Sequence, residues 1–167
     1  QFISSPEFGY MQKHPIIYLC AEYALEDTIP IYSGGLGILA GDMIREAADH
    51  NIPLITLGLF YHEGYLYHDI YKEGIMMKIS GRTNPASVHL LPVVDEQNNR
   101  ISVSLPLQDE TIHIQAWYLQ KGSVRVYLLD TSVAENSEKN KKITDQLYAS
   151  NRETRFKQEM VLGLGGL

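Results

Sequence analysis

The sequence predicts an α/β domain in which an open, parallel sheet is extended by antiparallel strands. Apolar runs at 16–21 and 52–59 flank a helical pattern, and strand–helix–strand is the unit of a right-handed parallel sheet. Strict alternation of apolar and polar residues at 101–105 and 111–117 is typical of antiparallel strands with one solvated face. A further apolar run at 124–130 predicts another buried strand.

The first strand, at 16–21, is apolar throughout, as expected of a strand that is buried on both faces. The helix after it is amphipathic, because its apolar residues recur at helical spacing: Leu36, Leu39, Ala40, Met43, Ile44, Ala47 and Ala48. We expect this face to pack in the core, the helix to run from Leu36 to about His50, and Asn51 to end it.

The carboxyl-terminal third predicts a polar segment and then a last helix. Residues 134–142 are polar and predict loops around a short helical turn. The last helix is expected over 152–162, with Asn151 as its N-cap. On this interpretation Phe156, Met160 and Leu162 point into the core.

Composition and charge exclude several classes of protein. The chain has 167 residues, the size of one domain, and a net charge of −6 with no Lys/Arg run, which argues against a nucleic-acid partner. No apolar stretch reaches the 18 or so residues of a membrane span. Cys20 is the single cysteine, so an intrachain disulfide framework is excluded and a reducing, cytoplasmic compartment is predicted.

Both ends of the sequence indicate a piece of a longer protein. Residues 1–14 are interpreted as a leader or a cloning remnant, and 15–167 as the α/β domain portion. The glycine-rich tail 163–167 follows a helical pattern directly, and such glycines usually lead the chain into a further element. We therefore expect the last helix and this tail to leave an apolar patch exposed.

A glycine-rich loop, Ser33-Gly34-Gly35-Leu36-Gly37, lies between the first strand and the first helix. Glycines let backbone N–H groups approach an anion, and a helix N-terminus adds positive potential. A phosphate or a developing oxyanion is the natural guest. The alternative is a tight turn whose glycines only permit close packing of helix and strand. The loop is neither the G-x-G-x-x-G dinucleotide fingerprint nor a P-loop.

The motifs taken together resemble a known family. Matching segments occur in the family's order from Pro15 to Gly166: 15–23, 29–42, 57–61 with 64–65, 126–131 with 135–136, 143–144 with 147–148, and 153–166. They resemble the amino-terminal domain of the short-type α-glucan (glycogen, starch or maltodextrin) phosphorylases of bacteria and archaea.

The resemblance implies the amino-terminal Rossmann-like part of a two-domain, GT-B-type glycosyltransferase. In such enzymes inorganic phosphate attacks an α-1,4-glucan and glucose 1-phosphate is released. Pyridoxal 5′-phosphate is the cofactor, and its Schiff-base lysine lies in the carboxy-terminal domain. The family's active-site histidine is expected shortly beyond Gly166. The resemblance thus implies that this chain alone holds no catalytic residue and is inactive, and that the parent protein is a homo-oligomer.

Site residues carry over from the resemblance position by position. Gly34 and Gly35 match the loop whose amides face the substrate phosphate, and Leu36 matches a residue whose amide contacts the glucosyl unit. Glu22 matches a glutamate that lines the active site. Residues 147–151, with Ser150 and Asn151, match the mobile gate loop. An acidic residue is common at the place of Asn151, so the gating role there is open.

Two other functions stay open at this point. A glucan synthase shares the two-domain architecture and the glycine loop, but it typically has a lysine before the glycines, where this chain has Tyr32-Ser33. A non-catalytic module that binds glucan or a phosphorylated metabolite is the second alternative. The six histidines are scattered, and His62 and His68 have no compact metal-ligand spacing, so no metal site is predicted.

Overall fold

The computed structural model describes residues 4–64, 67–70, 76–79, 81–107 and 109–167. In chain order its elements are α1 (Pro6–Lys13), β1 (Ile16–Leu19), α2 (Gly35–Asp49), β2 (Leu54–Leu59), β3 (Tyr67–Ile70), β4 (Met76–Ile79), a 3₁₀ turn (Pro85–Val88), β5 (Leu91–Pro92), β6 (Ser102–Leu107), β7 (Glu110–Lys121), β8 (Val124–Asp130), α3 (Glu138–Lys141) and α4 (Arg152–Gly163). None of the helices in this part of the chain is long and apolar enough to cross a bilayer.

The main sheet is six-stranded and mixed. Its path is β1-β2-β8-β7-β5, and β6 pairs with β7 beside it. Strands β1, β2 and β8 are parallel, whereas β7 runs antiparallel to β8, β6 and β5. The α/β class, the β1–α2–β2 unit and the antiparallel extension are therefore confirmed. Strands β3 and β4 form a separate antiparallel pair, which the sequence analysis did not predict.

Helix α2 has the predicted extent but a narrower buried face. It ends at Asp49, and Asn51 then adopts a left-handed conformation (φ 53°), which asparagine tolerates better than most residues. Ala40, Ile44 and Ala47 are buried as expected, together with Gly37 and Gly41. The expectation for Leu36, Leu39 and Met43 is wrong, because about half of each of these side chains is exposed.

Strand β1 also differs from its predicted environment. A strand buried on both faces was expected, but Ile16 and Ile17 are about half exposed. The physical reason is position, because β1 is the outermost strand of the main sheet. Its apolar sequence would suit a central strand of a parallel sheet.

Helix α4 begins as predicted and turns a different face inward. The Asn151 side chain accepts a hydrogen bond from the Glu153 N–H (2.8 Å), which confirms the N-cap. Phe156, predicted to be in the core, is 55% exposed. The buried side chains are Lys157, Gln158 and Val161. Hydrogen bonds fix this face of α4 against the preceding segment, because the Gln158 side chain donates to the carbonyls of Ile143 and Gln146.

The amino-terminal segment folds as a helix that the sequence analysis did not identify. Ser5 caps α1 by accepting a hydrogen bond from the Phe8 N–H (3.2 Å), and Pro6 occupies the first turn. Both features favour a helix start. The Phe8 side chain is buried. At the other terminus the side chains of Phe156, Leu164 and Leu167 are exposed.

Candidate functional site

The candidate residues gather at the carboxyl ends of the three parallel strands. Glu22 follows β1, His62 follows β2, and Asp130 ends β8. Ligands of open α/β sheets bind at this edge, outside the carboxyl ends of the strands. The structure therefore brings together side chains that are up to 108 positions apart in the sequence, counting from Glu22 to Asp130.

The glycine loop leads directly into α2. Gly34 is the N-cap and offers no side-chain hydrogen bond, and the Ile38 N–H to Gly34 carbonyl bond (3.2 Å) begins the helical ladder. The N–H groups of the first turn of a helix have no acceptor within the helix. Those of Gly35, Leu36 and Gly37 thus belong to the positive end of a 15-residue helix dipole. The arrangement suits an anion.

Two kinds of glycine occur in this region, and they separate the two interpretations of the loop. A Cβ atom built at Gly37 would lie 2.5 Å from Tyr32 Cβ, and one at Gly41 would collide with the Ala24 carbonyl. These two glycines permit close packing. A Cβ at Gly34 or Gly35 would meet no atom within 4 Å. Packing therefore does not require glycine at these two positions, and the space beside their amides is open.

The backbone conformation does not require glycine at positions 34 and 35 either. Gly34 is extended (φ −154°, ψ −159°), and Gly35 is the first residue of α2. The described glycines with positive φ are Gly64 and Gly122, elsewhere in the chain. A side chain at Gly34 or Gly35 would extend into open space beside the N-terminus of α2.

Glu22 lies behind the glycine loop and is only 2% exposed. Its Oε2 accepts hydrogen bonds from the Ser33 backbone N–H (2.7 Å) and hydroxyl (3.4 Å), and its Oε1 accepts one from the Tyr148 hydroxyl (2.8 Å). A buried carboxylate needs such donors. Both oxygens are thus engaged within the protein, so the geometry assigns Glu22 to holding two loops in place.

Tyr148 connects the predicted gate loop to this carboxylate. It adopts a left-handed conformation (φ 55°), which is costly for a bulky residue and tends to occur at functional sites. Partial burial and the bond to Glu22 both raise the pKa of the Tyr148 hydroxyl. Tyr148 belongs to the segment 147–151 that resembles the gate loop, but the sequence does not single it out, because nothing in its local pattern indicates a contact 126 positions away.

Ser150 and Asn151 lie on another side of the same loop. Both line a shallow cavity with Glu63, Lys142 and Thr154, among others, and the Asn151 side-chain oxygen caps α4. An aspartate could make the same cap, so the carboxamide is compatible with this structural task. The hydrogen bond that joins the gate loop to Glu22 comes from Tyr148 instead.

A second polar cluster, also not identified in the sequence, is centred on Asp130. Its carboxylate accepts hydrogen bonds from the His62 ring (2.9 Å), the Trp117 indole (2.9 Å) and the Ser132 N–H (2.8 Å). Burial opposes ionisation, but these donors outweigh it and keep the pKa of Asp130 below its usual value. The other ring nitrogen of His62 faces the Thr83 carbonyl (3.2 Å). This cluster connects the carboxyl ends of β2 and β8 to the middle of β7.

The side chains that bind a metal ion or form a Schiff base with pyridoxal phosphate are His, Cys, Asp and Glu in the first case and Lys in the second. The described residues contain no cluster of three or more His, Cys, Asp or Glu side chains that could hold a metal ion. Among the lysines with described surroundings, Lys157 is the buried one. Its ammonium binds Glu110 and Asn140 and is fully committed. These residues do not fit a Schiff-base site.

Comparison with known proteins gives relatives along nearly the whole chain. No model of a protein family matches it. The chain is 41% identical over 155 residues to the maltodextrin phosphorylase of Thermococcus litoralis, covering 93% of this chain and 19% of that protein. It is 35% identical over 153 residues to the glycogen phosphorylases of Aquifex aeolicus (92% and 22% covered) and Mycobacterium tuberculosis (91% and 18%).

The chain thus spans about a fifth of the length of the curated relatives that it matches. The aligned share leaves out less than a tenth of this chain. The resemblance predicted from the motifs is confirmed: over nine tenths of its length, this chain is similar to a segment of the maltodextrin and glycogen phosphorylases.

Proposed function

We propose that this chain is the amino-terminal, phosphate-binding segment of an α-glucan phosphorylase, a two-domain glycosyltransferase of the GT-B type. The observation that carries the proposal is the likeness to maltodextrin and glycogen phosphorylases over more than nine tenths of this chain. The open space at Gly34 and Gly35 supports it, because amides at a helix N-terminus with no side chain over them suit a phosphate.

In the proposed reaction inorganic phosphate attacks the anomeric carbon of the terminal glucosyl unit of an α-1,4-glucan. The bond from that carbon to the glycosidic oxygen breaks, a bond to a phosphate oxygen forms, and the glycosidic oxygen takes a proton. The products are glucose 1-phosphate and a glucan shorter by one unit. The amides of Gly34 and Gly35 hold the phosphate, and the Leu36 amide contacts the glucosyl unit. Fixed amide dipoles need no reorganisation as charge moves.

Glu22 and the gate loop have positioning roles in this proposal. Glu22 fixes the start of the glycine loop through Ser33 and receives Tyr148 from the gate loop. Ser150 and Asn151 form the outer part of that loop. A carboxylate facing a phosphate directly would repel it, so the engagement of both Glu22 oxygens by donors is consistent with a place behind the anion site.

The cofactor belongs to the rest of the parent protein. Lys157 is committed to Glu110 and Asn140, so this segment supplies the substrate side of a cleft, and pyridoxal 5′-phosphate is held by the carboxy-terminal domain. The segment alone is therefore inactive. We place the parent, as a homo-oligomer, in the cytoplasm, where the thiol of Cys20 stays reduced.

The proposal is tested by mixing. The 167-residue chain and the remainder of the parent are produced separately, and the remainder is loaded with pyridoxal 5′-phosphate. Each part is assayed for glucose 1-phosphate from maltodextrin and phosphate, first alone and then together with the other. We expect product only from the mixture or from the intact parent. Glucan binding without turnover by the intact parent would indicate a non-catalytic module. Turnover that requires a sugar nucleotide would indicate a glucan synthase.

A further inference from the structure

A polar cavity of about 280 Å³ lies on the outer side of the gate loop, and we call it the outer gate cavity. Its walls come from Glu63 beyond β2, from the segment 142–146 after α3, and from residues 149–154 of the gate loop and the start of α4. No residue of the glycine loop lines it, and neither does Glu22. Pockets for small ligands usually measure about 300–1,000 Å³. The outer gate cavity thus has room for one small ring, apart from the proposed phosphate site.

Hydrogen bonds hold the two carboxylates of this cavity in place. One oxygen of Asp145, Oδ1, accepts from the Arg82 guanidinium (2.5 Å), and one oxygen of Glu63, Oε2, accepts from the Gln146 side-chain amide (2.6 Å). The backbone joins the same walls, because the Glu63 N–H donates to the Asp145 carbonyl (2.7 Å). A site whose groups are fixed before the ligand arrives loses less free energy to ordering when it binds.

The second oxygen of each carboxylate is left for a ligand. Within the part of the chain that the structure describes, Asp145 Oδ2 and Glu63 Oε1 accept no hydrogen bond, although the Asp145 side chain is only 10% exposed. The Lys142 ammonium and the hydroxyls of Ser150 and Thr154 belong to the same lining and have no hydrogen-bond partner among these residues. The cavity therefore offers acceptors, a donor, and two groups that can do either.

Charge decides which kind of ligand suits these groups. Glu63 and Asp145 are negative, Lys142 and the Arg82 that binds Asp145 are positive, and these charges cancel. A phosphate would face two carboxylates in one small cavity, and like charges repel. The described residues contain no cluster that could hold a metal ion. A neutral ligand with several hydroxyl groups fits best, because each hydroxyl both donates and accepts.

We propose that the outer gate cavity binds a neutral, polyhydroxylated ring, namely a glucosyl unit of an α-1,4-glucan. The free oxygens of Glu63 and Asp145 accept hydrogen bonds from the sugar hydroxyls, and the Lys142 ammonium donates one. That the ligand is neutral and hydroxylated follows from the cavity itself, whereas its being a glucosyl unit rests on the proposed function. The cavity would hold a glucan beside the gate loop, in addition to the reacting glucosyl unit at Leu36.

Titration of the 167-residue chain followed by NMR tests the site directly. The ¹⁵N-labelled chain is titrated separately with maltotriose, with sorbitol as an open-chain polyol, and with inorganic phosphate. We expect maltotriose to shift the backbone amides of Gln146 and of residues 149–151 in a saturable manner. Sorbitol and phosphate should leave these amides unshifted. Phosphate shifts at residues 35–37 would bear on the proposed phosphate site alone.

Two neighbouring lysines provide a matched pair of variants. Lys142 lines the cavity, whereas Lys141 binds Glu138 (2.8 Å) outside it. Both changes to methionine remove one positive charge and keep an unbranched side chain. Lys142→Met should weaken maltotriose binding by about three- to tenfold, the loss of about one hydrogen bond. Lys141→Met should change it by less than about twofold, because it removes only an exposed ion pair.

A second variant changes a wall of the cavity without removing its support. Glu63→Gln keeps an oxygen that can accept from the Gln146 amide but replaces the free carboxylate oxygen by an amide group. We expect maltotriose affinity to fall by about three- to tenfold here too. Unchanged amide shifts away from the cavity show that each variant is folded.

Three outcomes would overturn the proposal. One is that maltotriose leaves the amides of residues 149–151 unshifted. Another is that phosphate or sorbitol shifts them as strongly as maltotriose does, which would indicate an anion site or unspecific polyol binding. The third is an equal effect of Lys141→Met and Lys142→Met. Saturable maltotriose shifts in a chain whose parent lacks phosphorylase activity would refute the proposed function and leave the sugar site standing, and an active parent with unshifted amides would do the reverse.

Discussion

The most informative perturbation of the proposed anion site is a side chain at Gly35. The substitution Gly35→Val puts three carbon atoms over the N-terminus of α2. In the folded chain this costs little, because a Cβ at Gly35 meets no atom within 4 Å and Gly35 has helical backbone geometry as the first residue of α2. Replacing a helical glycine usually gains rather than loses stability, by a few tenths to about 1 kcal/mol.

The expected loss is in function. Removing one preorganised donor to a developing charge typically costs about 2.7–4 kcal/mol, or a factor of about 10²–10³ in kcat. A valine that excludes phosphate from several amides at once should cost at least as much. We therefore expect the Gly35→Val full-length protein to melt within about 2 °C of the wild type, to bind glucan normally, and to lose phosphorolysis.

Gly41→Ala is the matched control, six residues along the same helix. Its added Cβ atom would collide with the Ala24 carbonyl, and overpacking of this kind typically costs about 1–3 kcal/mol. This variant should melt earlier while its folded fraction keeps a near-normal Michaelis constant for phosphate. Melting and phosphate-dependent kinetics are measured on the same samples. If Gly35→Val retains the wild-type kcat and Michaelis constant for phosphate, the anion-binding role of Gly34 and Gly35 is wrong.

Two further substitutions probe the polar clusters beneath the site. Tyr148→Phe removes one donor from the buried Glu22 carboxylate, so the unfolding free energy should fall by about 1–3 kcal/mol. The Ser33 amide should also exchange faster. Unchanged exchange at Ser33 would show that Glu22 does not couple the glycine loop to the gate loop. Asp130→Asn should cost about 1.5–3 kcal/mol at neutral pH, because it replaces the buried carboxylate that accepts hydrogen bonds from the His62 ring and the Trp117 indole. The pKa of Asp130 is lowered in the folded state, so this difference should persist above about pH 4 and vanish as the pH falls through the folded-state pKa; a pH-independent difference in chemical denaturation would contradict the assignment.

Local sequence patterns were sufficient to predict the helices and strands that depend on a few neighbouring residues. The apolar runs and the helical spacing between them predict β1, α2 and β2, and Asn151 predicts the start of α4, because a cap is made within three residues of its own position. The glycine loop was found for the same reason, since a helix N-terminus and its glycines are adjacent in sequence.

Contacts between segments that are distant in the sequence could not be predicted from local patterns. Phe156 was expected to be buried because apolar side chains usually are. The inward face of α4 is instead held by Lys157 on Glu110 and by Gln158 on two carbonyls. From the sequence, the Lys157 ammonium and the Gln158 amide are expected to face solvent. They are buried because their hydrogen-bond partners lie in β7 and in the segment before α4.

The polar clusters centred on Asp130 and on Glu22 have different roles at the carboxyl edge of the sheet. Asp130 and His62 join elements that are already complete in this chain, so their removal should destabilise the fold whether or not the rest of the protein is present. Glu22 joins the glycine loop to the gate loop through Ser33 and Tyr148, and the glycine loop holds the proposed phosphate site. A weakened Glu22 contact should therefore affect the full-length protein chiefly through phosphate binding, because the loops there have a ligand to position. In the short chain the same change should appear as a lower free energy of unfolding and faster exchange of the Ser33 amide.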